Sequence, residues 1–216
     1  DVSFTDKTSH SVAPIDVAQV SVGAATSLPE NVKVVQGGSR LAVMDPSQGQ
    51  VWLAQVSSPS GTAYTDEGAL ASDMEQGAVA VSQKGTLFAI SAQGGRRITV
   101  TREGQLDRLK SQDVEGLSGN AELVMTAVGE QPVALDRRNR VLVLPDGKLR
   151  NLADDGISGN ITLQESGPES SSVLLATDRE LISIPLKGGA ATKIPASNDG
   201  ASGTPSRPVF HKGCAY

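Results

Sequence analysis

The chain has 216 residues, a formal net charge of −5, and 38% hydrophobic but only 3% aromatic residues. Its basic residues never form the dense run that displaces counterions from nucleic acid, so we expect no nucleic-acid partner. No stretch approaches the roughly 20 apolar residues of a membrane-spanning helix, so we expect no membrane insertion by this segment.

Strand patterns follow one another along the whole chain. Three strands are predicted at 2–5, 10–15 and 17–22, which form a partial unit over 1–22. Four complete units follow at about 31–65, 77–111, 120–153 and 160–195, and a lone inner strand at 206–211 ends the series. No helix is predicted, because the one candidate, 101–114, matches a strand hairpin.

These units are copies of one pattern. Residues 97–109, RITVTREGQLDRL, match residues 140–152, RVLVLPDGKLRNL, and each segment has an acidic-Gly pair suited to a tight hairpin. The connector GLSGN at 116–120 returns as GISGN at 156–160, and more loosely as GASGT at 200–204. A period of about 40 residues with four strands per unit is typical of propeller blades.

A polar residue recurs in the turn between the second and third strands of each unit. The five units place Asp6, Asp45, Ser91, Asp136 and Asp178 there. An Asp at this position accepts a backbone N–H two residues on and closes the turn. We prefer this structural interpretation to calcium binding, because no segment has the alternating carboxylates of a calcium loop.

The predicted fold is therefore all-β: a propeller of four-stranded antiparallel blades, with residues 1–216 forming one region. If the three opening strands and the strand at 206–211 complete one sheet, the ring closes with five blades and hides its edges. The alternative is a partial or longer propeller that continues past Tyr216.

Residues that bind metals are sparse. His10 is expected to be solvated in a hairpin turn, and His211 at the end of the last inner strand is interpreted as structural, with a channel-facing position as the alternative. Cys214, the single cysteine, is interpreted as a buried thiol or as half of a disulfide whose partner lies beyond the chain. No zinc-ligand spacing is present.

The inner strands contain two carboxylates, Glu122 and Glu165, in adjacent units. Glycoside hydrolysis needs a pair of carboxyls at a defined separation, but neither residue lies in a motif, and we expect both to be solvated. Because the inner strands are otherwise apolar, the channel is predicted to be packed shut near its middle. The sequence therefore predicts no catalytic, cofactor-binding or metal-binding residues, and no cofactor.

Two further groups have alternative interpretations. Trp52 is expected to pack between blades, with exposed sugar stacking as the alternative. The pairs Arg96–Arg97 and Arg137–Arg138, with Arg140 beside them, lie at equivalent turns. They are expected on a solvated turn face, with a small basic patch on one rim as the alternative.

The terminal run SGTPSRPVFHKGCAY, residues 202–216, resembles a segment of large actinobacterial surface proteins, as does the turn MDPSQGQVWLA at 44–54. Those proteins have a propeller-like extracellular region ahead of Ig-like or fibronectin type III repeats. The resemblance implies an extracellular, cell-envelope location and a chain that continues beyond Tyr216.

We therefore expect a non-catalytic extracellular scaffold or protein-binding module of a larger cell-surface protein, because loops on a rigid ring commonly carry recognition. Its partners would be another protein, other domains of the same polypeptide, or cell-envelope glycan. The alternatives are a propeller-type glycosidase or lactonase/lyase, and a carbohydrate-binding, lectin-like module.

Overall fold

The computed structural model describes residues 2–103, 106–195, 205–211 and 214–215. Its N-terminal part is a small antiparallel sheet, here called the first sheet. It contains β1 (Val2–Asp6), β2 (Ser11–Asp16), β3 (Ser21–Val22) and β4 (Thr26–Ser27). Strand β1 pairs with β2, and both β3 and β4 pair with the other edge of β2.

Four larger sheets, blades I to IV, follow the first sheet in chain order. Blade I contains β5 (Lys33–Gly37), β6 (Arg40–Asp45) and β7 (Gln50–Gln55). Blade II contains β8 (Ala78–Val81), β9 (Leu87–Ile90), β10 (Arg96–Glu103) and β11 (Leu106–Asp113). Blade III contains β12 (Leu123–Val128), β13 (Gln131–Asp136), β14 (Val141–Val143) and β15 (Leu149–Asn151). Blade IV contains β16 (Thr162–Leu163), β17 (Ser172–Ala176), β18 (Glu180–Pro185) and β19 (Thr192–Pro195).

Each of these sheets is a meander in which every strand pairs antiparallel with the next one along the chain. Within the described ranges the helical segments are two 3₁₀ turns, Pro59–Gly61 and Asp66–Gly68. The sequence rejected a helix at 101–114. The described residues 101–103 and 106–113 of this segment lie in β10 and β11, where Glu103 is opposite Leu106. The all-β prediction is confirmed.

The core lies in layers between neighbouring sheets, because the second strand of each blade is buried on both faces. In β6, Leu41 packs towards the first sheet while its neighbour Ala42 packs towards blade II. In β9, Leu87 faces blade I and Phe88 faces blade III. Successive side chains of a strand point to opposite faces, so each strand contributes to two layers. This stacking of sheets side by side is the architecture of a β-propeller, as predicted.

The recurring Asp closes its turn in three of the five units. Asp45 Oδ1 accepts the N–H groups of Ser47 (2.8 Å) and Gln48 (3.1 Å). Asp6 and Asp136 accept the equivalent pairs of N–H groups in the first sheet and in blade III. The structural interpretation of these three residues is confirmed.

The other two units differ from that prediction. In blade II the Ser91 hydroxyl donates to the carbonyl of Gln93 (2.8 Å) instead of accepting an N–H. In blade IV the turn is closed one residue earlier, because Thr177 Oγ1 accepts the N–H groups of Arg179 (3.2 Å) and Glu180 (3.0 Å). The prediction for Asp178 as the closing residue is wrong.

The hairpin glycine at 147 has the backbone conformation that the sequence predicted, and two connector glycines share it. Gly116 has φ of +79° and Gly156, at the equivalent connector position, has φ of +65°. Gly147 in the β14–β15 hairpin has φ of +88°, a region that favours glycine because it has no Cβ. The equivalent glycine at 104 and the connector at 200–204 lie outside the described residues.

Two features of the ends and edges differ from expectation. In blade I the place of the fourth strand is taken by residues 70–71, which follow the two 3₁₀ turns. Val51 donates its N–H to Ala71 O (3.0 Å) and accepts from Leu70 N (2.8 Å).

At the end of the chain, β20 (Phe210–His211) pairs with β21 (Cys214–Ala215). Within the described ranges the terminal strand therefore does not pair with the first sheet, which was the pairing expected to close a five-bladed ring.

Candidate functional site

The first strands of blades I to IV converge on one cavity of about 450 Å³, the channel cavity. Its apolar wall consists of side chains from all four strands or their ends: Val34, Val35, Ala78, Val79, Leu123, Val124, Met125 and Leu163. Its polar lining consists of Lys33, Gln36, Arg137, Glu165, Ser166 and Arg207. The sequence predicted a channel packed shut near its middle, whereas the structure shows about 450 Å³ of space beside these inner strands.

Lys33 extends from the start of β5 into this cavity and contacts blade II. Its Nζ donates to the carbonyl oxygen of Gly77 (3.3 Å). Partial burial lowers the pKa of Lys33, the nearby Arg137 guanidinium lowers it further, and Glu122 opposes this. The like charges of Lys33 and Arg137 thus act on each other across the gap between blades I and III.

Arg207 enters the cavity from the segment 205–209, which runs beside β16. Its Nε donates to Leu163 O (3.2 Å) and its Nη2 to Gln164 O (3.0 Å). The main chain holds this segment, because Glu165 N donates to Pro208 O (3.1 Å). Among the described residues, the hydrogen-bond partners of this guanidinium are neutral carbonyl groups.

A second cavity of about 450 Å³ lies at the rim and shares Lys33 and Leu123 with the channel cavity. Its polar lining includes Gln76, Asn120, Glu122 and Arg138. Across the rim, Arg137 Nη1 lies 4.0 Å from Glu122 Oε1. Both side chains keep more than a third of their surface exposed, so solvent screens this ion pair.

The two carboxylates considered for catalysis line different cavities. Glu165 lines the channel cavity and Glu122 lines the rim cavity, and both residues are exposed as expected. Only one of them thus lines the channel cavity, where a glycosidase needs a facing pair. The arrangement gives no support to hydrolysis of a glycosidic bond by these two residues.

The histidines and the cysteine are dispersed. His10 is exposed in the β1–β2 turn, as expected, with φ of +47°. The side chain of His211 lies outside the described part of the structure. Cys214 is exposed and not disulfide-bonded, so the interpretation as a buried thiol is wrong. In the described ranges no group of three potential metal ligands converges, and no helix is long and apolar enough to cross a membrane.

Trp52 is part of the core and has no surface for a ligand. It is fully buried, its Nε1 donates to Thr65 O (2.9 Å), and its ring meets that of Tyr64 edge to face at 6.2 Å. Burial raises the pKa of Tyr64 to about 12. The packing interpretation is confirmed, and the sugar-stacking alternative fails for this residue.

The arginine pairs do not form one basic patch. Arg97 is buried, and its guanidinium donates to Leu144 O (3.0 Å), Pro145 O (2.7 Å) and Gln112 Oε1 (2.6 Å). Burial lowers the pKa of Arg97, and Asp146 opposes this. Arg96 instead forms an ion pair with Asp73 near the surface. Because Arg97 binds blade III, the prediction of a solvated turn face is wrong for this residue.

Arg137, Arg138 and Arg140 are exposed, as expected. What sequence reasoning missed is that Arg137 lines the same cavity as Lys33 and Arg207. The places of these residues in the repeat could have indicated this. Lys33 begins an inner strand, Arg137 follows the Asp that closes a turn, and Arg207 lies in the last segment.

In the described part of the chain, the outer edge of β1 in the first sheet pairs with no other strand. Pro14 O accepts the N–H of Gly23 (2.8 Å), so the carbonyl group of Pro14 points away from β1. Ser3 lies opposite Pro14 and therefore points its own N–H away from β2. This N–H donates to Gln36 Oε1 of blade I (2.9 Å). Thr5, two residues on, faces the same edge.

Large apolar side chains are exposed on this same sheet and its turns. They are Val2, Phe4, Val17, Val20 and Val22, of which Val20 is 90% and Phe4 55% exposed. Single exposed apolar residues are normal, whereas several of them close together are typical of interaction surfaces. Sequence analysis did not single out this group.

The chain matches no protein-family model and no curated protein. Among solved structures it is similar to virginiamycin B lyase from Staphylococcus aureus, with a TM-score of 0.58 at 11% identity over 96% of this chain and 68% of that one. It is similar to a streptogramin B lyase, with a TM-score of 0.60 at 13% identity over 96% and 67%. Its similarity to AztD from Citrobacter koseri has a TM-score of 0.57 at 15% identity and covers 99% of this chain but only 62% of AztD. At these identities the similarity establishes the β-propeller fold alone.

Proposed function

We propose that the chain is a non-catalytic β-propeller module of a larger extracellular or cell-envelope protein, and that its first sheet docks an extended strand from another domain or protein. The observation that carries this proposal is the open edge of β1, beside a group of exposed apolar side chains. Unpaired N–H and C=O groups on an edge strand are a template for strand addition.

The other blades indicate which strand fits this edge. In blades I and III an inner strand pairs antiparallel with a second strand, and an Asp closes the turn after that second strand, as in the first sheet. Asp6 caps that turn as Asp45 and Asp136 cap theirs. Strand β1 therefore corresponds to a second strand, and the missing neighbour is an inner strand with small or β-branched residues, such as β8.

The Gln36 side chain shields the edge in the isolated chain. It accepts from both the backbone N–H (2.9 Å) and the hydroxyl (2.8 Å) of Ser3. An incoming strand has to displace this amide from Ser3, whereas the outward main-chain groups of Thr5 pair with no strand in the described ranges. Docking is therefore most sensitive to changes at Thr5.

A labelled peptide with the sequence of residues 76–83, QGAVAVSQ, tests the proposal by fluorescence anisotropy. Thr5→Pro removes the outward N–H while leaving the β2 pairing intact, and proline is tolerated at an edge. Thr5→Ala keeps the N–H and is the matched control. We expect binding to the wild type and to Thr5→Ala, and loss of binding to Thr5→Pro. Equal binding to all three, or to none, rejects strand addition at β1.

The location is proposed on the resemblance of residues 202–216 and 44–54 to large surface proteins with Ig-like or fibronectin type III repeats. Labelling intact cells with a membrane-impermeant amine reagent, followed by mass spectrometry, tests it. Labelled Lys7 or Lys187, both exposed, supports the extracellular location. Labelling that requires cell lysis contradicts it.

A lyase is the second candidate, favoured by the open, polar channel cavity and by the two similar structures named as lyases. Incubation of the purified protein with virginiamycin B, followed by mass spectrometry, tests it directly. Turnover that Glu165→Gln abolishes and Glu115→Gln, an exposed position away from the cavity, leaves unchanged would replace the non-catalytic proposal. No turnover leaves the docking module as the better account.

A further inference from the structure

We propose that the channel cavity binds a small organic anion: an apolar body carrying a carboxylate or phosphate, with Lys33, Arg137 and Arg207 facing the charged group. This inference goes beyond strand docking: the cavity is formed by blades I to IV and the docking edge by β1, and the two share the Gln36 side chain. Its basis is the charge, the hydrogen bonding and the shape of the cavity.

The charge of the cavity opposes that of the chain. Three cationic side chains, Lys33, Arg137 and Arg207, line it, against one carboxylate, Glu165. The whole chain has a net charge of −5. A concave wall lined by one sign of charge focuses the electrostatic potential and attracts the opposite charge.

The cations are incompletely neutralised. Lys33 and Arg207 donate to neutral carbonyl oxygens, those of Gly77, Leu163 and Gln164. The nearest carboxylate oxygen of Glu122 lies 4.0 Å from Arg137. Burial and the like charge of Arg137 both lower the pKa of Lys33, and the Glu122 carboxylate only opposes this in part. An anion at this position would relieve the repulsion.

The remaining wall is apolar and fits the body of such a ligand. Val35, Val79, Leu123 and Met125 contribute to it from three blades. A volume of about 450 Å³ lies within the range of sites for small organic molecules, which are mostly apolar with a few placed polar groups. Inorganic phosphate alone would leave this apolar wall without contacts, so the structure favours an amphipathic anion.

Two fluorescent probes that differ in one group test the inference. The first, 8-anilinonaphthalene-1-sulfonate, has an apolar body and an anionic group; N-phenyl-1-naphthylamine is similar but neutral. In the background of Phe4→Ser, which removes the largest apolar side chain exposed on the first sheet, we expect the anionic probe to bind more tightly than the neutral one. Equal affinity of the two probes overturns the proposal.

Charge-removing variants locate the site. Lys33→Gln and Arg207→Gln are each expected to weaken binding of the anionic probe about tenfold through loss of a nearby opposite charge, and to leave the neutral probe unaffected. Arg108→Gln, on the exposed strand β11, is the matched control, and Lys33→Arg should restore binding. Unchanged affinity in a double Lys33→Gln/Arg207→Gln variant with wild-type thermal stability overturns the proposal.

Competition identifies the charged group. Displacement of the probe by octanoate, by octyl phosphate or by both supports the site and shows which anionic group it prefers. Displacement by octanol at the same concentration shows that apolar burial alone drives binding, and this outcome contradicts a role for the three cations.

Discussion

Arg97 connects blades II and III, and its neighbour Arg96 provides a matched comparison. The Arg97 guanidinium makes three hydrogen bonds, two of them to main-chain carbonyls of residues 144 and 145 in blade III. Arg97 is 5% exposed. Arg96 has 37% of its side-chain surface exposed and pairs with Asp73, which is 48% exposed. Replacing each arginine by alanine tests whether burial decides the effect.

We expect Arg97→Ala to lower the free energy of unfolding by about 3 kcal/mol, since it removes three hydrogen bonds from a buried guanidinium, although the carbonyl of Leu144 still accepts from Gly147 N (2.9 Å). Arg96→Ala is expected to lower it by about 0.5 kcal/mol, as for an exposed ion pair. In a chain of this size, 3 kcal/mol corresponds to a fall in Tm of roughly 6 to 12 °C.

Urea denaturation followed by circular dichroism measures both values, and Arg97→Lys separates charge from geometry. Lysine keeps the charge but has no planar fork, so we expect it to recover less than half of the loss. Equal destabilisation by Arg96→Ala and Arg97→Ala would refute the reasoning, as would full recovery by Arg97→Lys.

Three further predictions concern stability. Trp52→Phe removes the hydrogen bond to Thr65 O and should cost about 1 kcal/mol, whereas Trp52→Ala should cost about 4 kcal/mol. Urea denaturation measures both; no loss for Trp52→Phe would contradict a role for the indole N–H, and equal losses would contradict a role for the buried ring. Asp136→Ala removes an acceptor for three backbone N–H groups and should lower the free energy of unfolding by about 3 kcal/mol. Thr177→Val removes the acceptor that closes the equivalent turn of blade IV and should lower it by about 1 kcal/mol. A larger fall in Tm for Thr177→Val than for Asp136→Ala in thermal melts would contradict this ranking. Two hydrogen bonds from the Arg150 guanidinium lower the pKa of Asp155 below 3.8, partly offset by burial. The stabilisation from this ion pair is therefore present above pH 3.8 and is lost as the pH falls through the folded-state pKa of Asp155. The difference in Tm between wild type and Asp155→Asn should therefore shrink as the pH falls below 3.8, which thermal melts at several pH values measure.

The strand order was predictable because the hairpin chemistry repeats. Gly147 has the positive φ that its acidic-Gly turn predicted, and Asp45 and Asp136 close the turns assigned to them. These signals are local, since an Asp side chain reaches a backbone N–H only two residues away. The same locality explains the error in blade IV, where Thr177, one residue earlier, offers the turn an equivalent acceptor.

The arginine pair shows where local reasoning failed. Arg96 and Arg97 follow Gly94–Gly95 and were placed together in a turn, but β10 already begins at Arg96. Because adjacent residues of a strand point to opposite faces, one guanidinium reaches solvent and the other enters the space between blades. The sequence contains no signal for the carbonyls of Leu144 and Pro145 that receive it.

The channel cavity was missed for a different reason, which follows from the repeat itself. A repeat identifies what the blades share, namely strands, turns and core positions. Lys33, Arg137 and Arg207 occupy non-equivalent positions in their units, an inner strand, a turn and the last segment, and only the curvature of the stack brings them to one wall. In a propeller, side chains that break the repeat and converge on the axis are therefore the positions to test for ligand binding. Their chemistry is not constrained by the packing that makes the blades alike.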